Sequence, residues 1–126
     1  MESGAITDGQ ISASSEYDGN HAAIQGRLQF QATNIKAGSW TSLLSDTSPW
    51  LQIDLANYCT KVRRVATQGR NQHGEWVTMY NLQYGDDGVV FKYYVEQGQS
   101  LIKVRKNVTW TLRKTAVEIY LPLNIP

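Results

Sequence analysis

The chain has 126 residues, 41% of them hydrophobic and 18% charged, which suits one folded domain with a single core and excludes a disordered chain. A formal net charge of +1 gives no global electrostatic case for nucleic acid. No apolar run approaches the roughly 20 residues that span a bilayer, and a lone cysteine, Cys59, excludes an internal disulfide.

In chain order the pattern is β throughout. Residues 11–13 predict a short strand, and residues 14–26 a long polar connection. Arg27-Leu28-Gln29-Phe30 predicts a second strand, and residues 31–49 join it to Trp50. Leu51, Ile53 and Leu55 alternate with Gln52 and Asp54, the period of a strand with one buried face. Residues 61–67 are β-branched with broken alternation. Residues 77–84 are aromatic and branched, with Tyr80, Leu82 and Tyr84 on one face. Asp86-Asp87-Gly88 predicts a hairpin turn into a strand over 89–94. Residues 115–121 make a last strand, ended by Pro122 and Pro126. No stretch keeps apolar residues at helical spacing over three turns. Short strands with polar, Gly-rich connections argue for a β-sandwich. Connections as long as 14–26 and 31–49 are either disordered or functional, and Tyr17, Ile24 and Trp40 within them argue against simple disorder.

Charge is uneven along the chain. Residues 1–98 carry seven Lys/Arg against ten Asp/Glu, whereas residues 99–126 carry five against Glu118 alone. A basic stretch such as Lys103, Arg105 and Lys106 can steer anions, but more often it is a solvated strand edge. Met1-Glu2-Ser3-Gly4 opens without a secretory leader, which leaves an intracellular protein or a segment of a longer precursor. Asn107-Val108-Thr109 is a glycosylation acceptor pattern of low specificity.

Catalytic constellations are not evident. Nucleophilic catalysis needs a nucleophile, a base and an orienting group in contact; His21 and His73 sit in no such motif, and Cys59 reads as a packed thiol. The acids are scattered singly apart from Asp86-Asp87, which the turn explains, so no carboxylate pair for glycoside hydrolysis stands out. Two His and one Cys are too few for a closed zinc site. Asp18 and Asn20 offer calcium-type oxygen ligands, though Asx residues are equally expected in turns. No cofactor is required, and an enzyme is not expected. What remains is aromatic: Tyr17, Trp40 and Trp76 lie in or beside polar connections. Each can stack on a sugar ring or sit at a membrane interface. The bland alternative, capping the core beneath a loop, is favoured for Trp40 and Trp76 and evenly balanced for Tyr17.

Several blocks together resemble a known family. Residues 1–6 and Ile11-Ser12-Ala13-Ser14-Ser15-Glu16-Tyr17 look like the opening of a discoidin domain, also called the coagulation factor V/VIII type C domain. The resemblance continues through Gly26-Arg27-Leu28, Gly38-Ser39-Trp40, Trp50-Leu51-Gln52-Ile53-Asp54-Leu55 and Val65-Ala66-Thr67-Gln68-Gly69-Arg70. Glu75-Trp76-Val77-Thr78, residues 80–84 and the Asp87-Gly88 turn complete it, covering residues 1 to 98 in family order.

The resemblance implies an all-β jelly-roll sandwich of about eight antiparallel strands, with three loop spikes at one end. Here the spikes would be residues 16–23, 30–38 and 70–76. Family members bind phospholipid head groups, glycans, collagen or protein partners through such loops, usually as parts of secreted or cell-surface proteins that serve adhesion. The expected ligand-binding residues are Tyr17, Asp18, Asn20, His21, Trp40, Thr41, Asp46, Arg70, Asn71, His73 and Trp76. The tips of the first and third spikes are polar and would be costly to bury in lipid. Ile35 is the one candidate apolar wedge. The sequence therefore favours a glycan or a cell-surface or matrix protein as partner. A phosphatidylserine membrane is the alternative, and a structural or oligomerisation domain without its own ligand a further one. The chain also departs from the family. The single domain over 1–126 lacks the terminal cysteines and, by this reading, the last strand. An uncovered sheet edge would then invite self-association.

Overall fold

The computed structural model describes residues 5–56, 60–70, 73–77, 80–95, 108–114 and 116–120. Among them run seven strands: β1 (Ile11–Ala13), β2 (Trp50–Asp54), β3 (Thr60–Val65), β4 (Asn81–Gly85), β5 (Lys92–Tyr93), β6 (Val108–Lys114) and β7 (Ala116–Tyr120). Five pair antiparallel in one sheet, ordered β1-β2-β7-β4-β5, and β3 pairs antiparallel with β6 in a second. None of the described helical turns is longer than one turn, and none is long and apolar enough to cross a membrane.

The alternation read in the sequence at residues 51–55 does what it predicts. Leu51 and Ile53 are buried while Asp54 is exposed. The register sets Ile11 opposite Ile53 and Ala13 opposite Leu51, so β1 adds to the same apolar face. Ile11, Leu51 and Ala23 form a buried cluster, with Ile6, Ala13 and Trp40 packed against it. Leu82 is fully buried and Tyr80 nearly so. Removing such side chains from water contributes roughly 2 kcal/mol each. Burial also raises the pKa of the Tyr80 phenol.

Three features differ from the sequence reading. Residues 27–30 form no strand. The chain makes a turn there, with the Phe30 amide on the Arg27 carbonyl and Gln29 at φ 58°. Side chains replace the ladder: Arg27 Nη2 donates to Asp8 Oδ1 at 2.6 Å, and Gln68 Oε1 accepts from the Gln29 amide at 2.8 Å. The strand expected over 89–94 shrinks to β5, because Asp87 Oδ1 takes the Val89 and Val90 amides into the turn. Gly88 supplies the φ of 71° that turn needs, and a Cβ on Gly85 would collide with the Val90 carbonyl oxygen. Third, β6 had no counterpart in the sequence reading. Cys59, Asn71 and Asn107 lie outside the described residues.

Topology gathers the long connections. Trp50 at the start of β2 pairs with Tyr120, and Tyr120 pairs with Asn81 at the start of β4. The Ser14 amide, just past β1, donates to the Trp50 carbonyl. The first spike follows β1, the 41–49 loop precedes β2 and the third spike precedes β4, so all three meet at one end of the larger sheet. The Asp86–Val90 turn lies at the other end.

Candidate functional site

The first spike is built on a short capped turn. Asp18 Oδ1 accepts the Asn20 amide at 2.8 Å and caps the single 3-10 turn Gly19–His21. The same oxygen lies 2.7 Å from His21 Nδ1. The His21 hydrogen bond comes first among the causes that hold the Asp18 carboxyl below its ordinary pKa. An ionised carboxylate only accepts, so Nδ1 carries the proton and Nε2 is left as the ring's other hydrogen-bonding atom. The Tyr17 ring meets the imidazole edge-on, with centroids 5.5 Å apart. Glu16 Oε1 accepts the Ala23 amide at 2.7 Å and closes the base of the spike.

The neighbouring loops are laced to this spike. The Tyr17 amide donates to the Thr41 carbonyl at 2.8 Å, and the Thr41 amide to the His21 carbonyl at 3.3 Å. On the second spike, the Ala37 amide donates to the Asn20 carbonyl at 2.8 Å. That spike is a tight turn in which Thr33 and Lys36 bridge, with Ile35 at its exposed tip.

The third spike is closed at its base by Arg70 and Glu75. The Arg70 amide donates to the Glu75 carbonyl at 2.8 Å, and Arg70 Nη1 donates to Glu75 Oε2 at 2.7 Å. Arg70 leads the causes that lower the Glu75 pKa; the charges of His73 and His21 add smaller pulls. The first and third spikes share one end of the larger sheet, the first following β1 and the third preceding β4. His73 and Trp76 are exposed on this loop, Trp76 at 63%.

The expected site residues among the described ones fall into two groups, with Asn71 outside them. Tyr17, Asp18, Asn20, His21, Arg70, His73 and Trp76 occupy the two adjoining spikes. Trp40, Thr41 and Asp46 act elsewhere in the described contacts. Trp40 packs on the core cluster and donates its indole N–H to the Ser15 carbonyl at 2.9 Å, while Thr41 contributes its backbone. The Asp46 carboxylate is taken up by Ser14, Ser15 and Ser48. Trp76, by contrast, is no core cap. Among the described residues no three His, Cys, Asp or Glu side chains gather as a metal would require. Asp18, the acid proposed for calcium, is engaged by His21 and Asn20.

Sequence reasoning passed over Glu75, whose signal was an acid five residues after Arg70 across a Gly-containing loop. It also passed over Leu43 and Leu44, which are exposed in the 41–49 loop at the same end as Ile35. Ile35 is therefore not the lone apolar side chain displayed there.

A two-sheet jelly roll with its loops gathered at one end agrees with the comparisons. The F5/8 type C domain family matches residues 10–125. The chain belongs to that family. It is 36% identical to lactadherin of Rattus norvegicus over 110 residues, which cover 81% of this chain and 25% of that protein. This F5/8 type C domain thus spans about a quarter of the length of that relative. Discoidin II of Dictyostelium discoideum superposes with a TM-score of 0.74 at 22% identity, over 89% of this chain and 48% of that one. The family 32 carbohydrate-binding module of Clostridium perfringens NanJ, solved in complex with galactose, gives a TM-score of 0.67 at 19% identity, over 98% and 87%. The F5/8 type C domain is a discoidin-like jelly-roll sandwich and a binding module.

Proposed function

We propose that this domain is a non-catalytic extracellular adhesion module that binds a glycan between its first and third spikes. One observation carries the reading: two exposed aromatic rings, Tyr17 at 50% and Trp76 at 63%, stand on adjoining loops beside His21, Asp18 and the Arg70–Glu75 pair. Sugars present apolar C–H faces and a rim of hydroxyls, so an aromatic ring beside ionised and imidazole hydrogen-bonding groups suits them. The galactose complex of the NanJ module supports a galactose-type sugar as the first ligand to try. A glycan array with the wild type, Tyr17→Ala and His21→Ala tests this. Selective hits lost in both variants are expected. A blank array from folded protein would overturn it.

A second reading rests on the exposed Ile35, Leu43 and Leu44, which share the spike end with Trp76. Apolar loop tips and interfacial aromatics also suit a peripheral membrane site. Flotation with phosphatidylserine vesicles, repeated with Ile35→Ser and Leu44→Ser, separates it from glycan binding. Loss of flotation in these variants, with array hits intact, would assign lipid to the apolar tips. A blank result in both assays would favour a protein partner or an oligomerisation role through a sheet edge. For the latter, Val89, Val90, Tyr93 and Val95 beside edge strand β5 are exposed.

A further inference from the structure

We propose that Asp46 is a positioning residue for the spike-end site: its carboxylate clasps the root of the first spike and sets where Tyr17 and His21 stand. This rests on the glycan reading above and adds to it a residue that never touches the sugar.

The geometry is specific. Asp46 Oδ2 accepts from both Ser14 Oγ and Ser15 Oγ, each at 2.6 Å, and Oδ1 accepts the Ser48 amide at 3.1 Å. An ionised carboxylate can only accept, so it fixes the direction of both hydroxyl protons. The serine oxygens are then free to accept in turn. Ser14 Oγ takes the Trp50 amide at 3.0 Å and Ser15 Oγ takes the Leu43 amide at 3.1 Å. The Asp46 amide itself donates to the Leu43 carbonyl at 3.1 Å. One side chain thus orders the end of β1, the 41–49 loop and the start of β2.

What is ordered lies next to the ligand-facing groups. Ser15 is two residues before Tyr17, and its carbonyl accepts the Trp40 indole N–H. Immediately beyond, the Tyr17 and Thr41 amides lace the spike to the loop leaving Trp40. The hydrogen bonds from Ser14, Ser15 and Ser48 lower the pKa of the Asp46 carboxyl and so favour its ionised, accept-only form. An asparagine fills the same space but keeps one acceptor oxygen. Placed on the two serines, its amide nitrogen faces the Ser48 N–H, donor against donor. Flipped, it meets both hydroxyls with a donor and takes away their common acceptor. Either way the lacing loosens without a cavity.

The test uses the whole 126-residue chain as wild type, Asp46→Asn, Ser15→Ala and the double variant. Amide exchange is followed at Tyr17, Thr41 and Leu43, with Leu82 as a core reference, and galactose is titrated by NMR. The inference expects Asp46→Asn to speed exchange at the three loop amides about tenfold or more while Leu82 is unmoved. Galactose affinity should fall about tenfold at a temperature where the variant is fully folded. Ser15→Ala should add little in the Asp46→Asn background, since both break one clasp. Unchanged loop exchange in Asp46→Asn overturns the proposal, as does faster exchange that spreads equally to Leu82, which would mark a general stability role. If the wild type does not bind galactose, that sugar assignment fails by itself. The exchange pattern then still decides whether Asp46 positions the spike.

Discussion

The first and third spikes reach the same end of the sandwich by different means. The first is laced to its neighbours through backbone bonds at Tyr17, Asn20 and His21, and its root is anchored to the core by Trp40. The third is closed by an ion pair and a backbone bond between the same two residues, Arg70 and Glu75, with a long 3.4 Å bond from His73 inside it. Backbone bonds under an apolar cap are insulated from salt. An ion pair whose carboxylate is 62% exposed is not. The first spike should therefore hold against added salt, and the third should behave as a loop that one side-chain pair keeps shut.

The sharpest way to break this contrast is to remove the anchor. Trp40→Ala deletes the indole from the Ile11, Ala23 and Leu51 cluster and strips the Ser15 carbonyl of its donor. A half-buried tryptophan in this position is worth about 3 kcal/mol, read from urea denaturation. Exchange in the first spike should rise while the Arg70 amide is little affected. An unchanged midpoint would mean that the first spike is not tied to the core through Trp40.

A gain of stability is the next largest effect. Gln25, on the turn that follows the first spike, is 1% exposed, and its side-chain amide makes no described hydrogen bond within the protein. Gln25→Met keeps the length and removes the buried polar atoms, so a gain of about 1 kcal/mol is expected in thermal or urea unfolding. A loss of that size would show that the amide is satisfied by bound solvent and helps set the spike.

How much of this was legible in the sequence follows from where the forces act. Leu51 and Ile53 read correctly because a strand with one buried face must alternate, whatever its partners. Tyr17, His21 and Arg70 were placed on spikes by resemblance, since loop positions carry no periodicity. Residues 27–30 were misread as a strand: their apolar content is real, but Asp8 and Gln68, distant in sequence, settle that turn through side chains. Asp46 was read as a ligand contact because a loop acid looks the same whether it faces solvent or a pair of serines 31 and 32 residues away. Nor does any local signal say that Trp76 is exposed while Trp40 packs on the core. That follows from tertiary contacts.

A smaller effect tests the third spike directly. Glu75→Gln leaves the backbone bond between residues 70 and 75 but removes the ion pair. The global cost should stay below about 1 kcal/mol, as for other exposed pairs. The local effect should be plain: faster exchange at Arg70, and in the wild type a similar loosening as salt is raised. The first spike should show no such salt response. Equal salt sensitivity in both spikes would erase the distinction between them.

The finest test is acid. Asp18, Asp46 and Glu75 all have folded-state pKa values lowered, by His21, by Ser14 and by Arg70 respectively. A carboxyl with a lowered folded pKa contributes stability that is present above its unfolded value, near about 4, and is lost as pH falls through the folded pKa. Local protection, with the intrinsic pH dependence of amide exchange divided out, should therefore be flat from neutral pH to about 5 and fall below about 4. In Glu75→Gln the acid response of the third spike should vanish while that of the first persists. In Asp46→Asn the first spike should already be loosened at neutral pH, with less left to lose in acid. If both spikes kept their full acid response in the Asp46→Asn, Glu75→Gln double variant, these carboxylates would be bystanders. The two loops would then differ only in their backbone lacing.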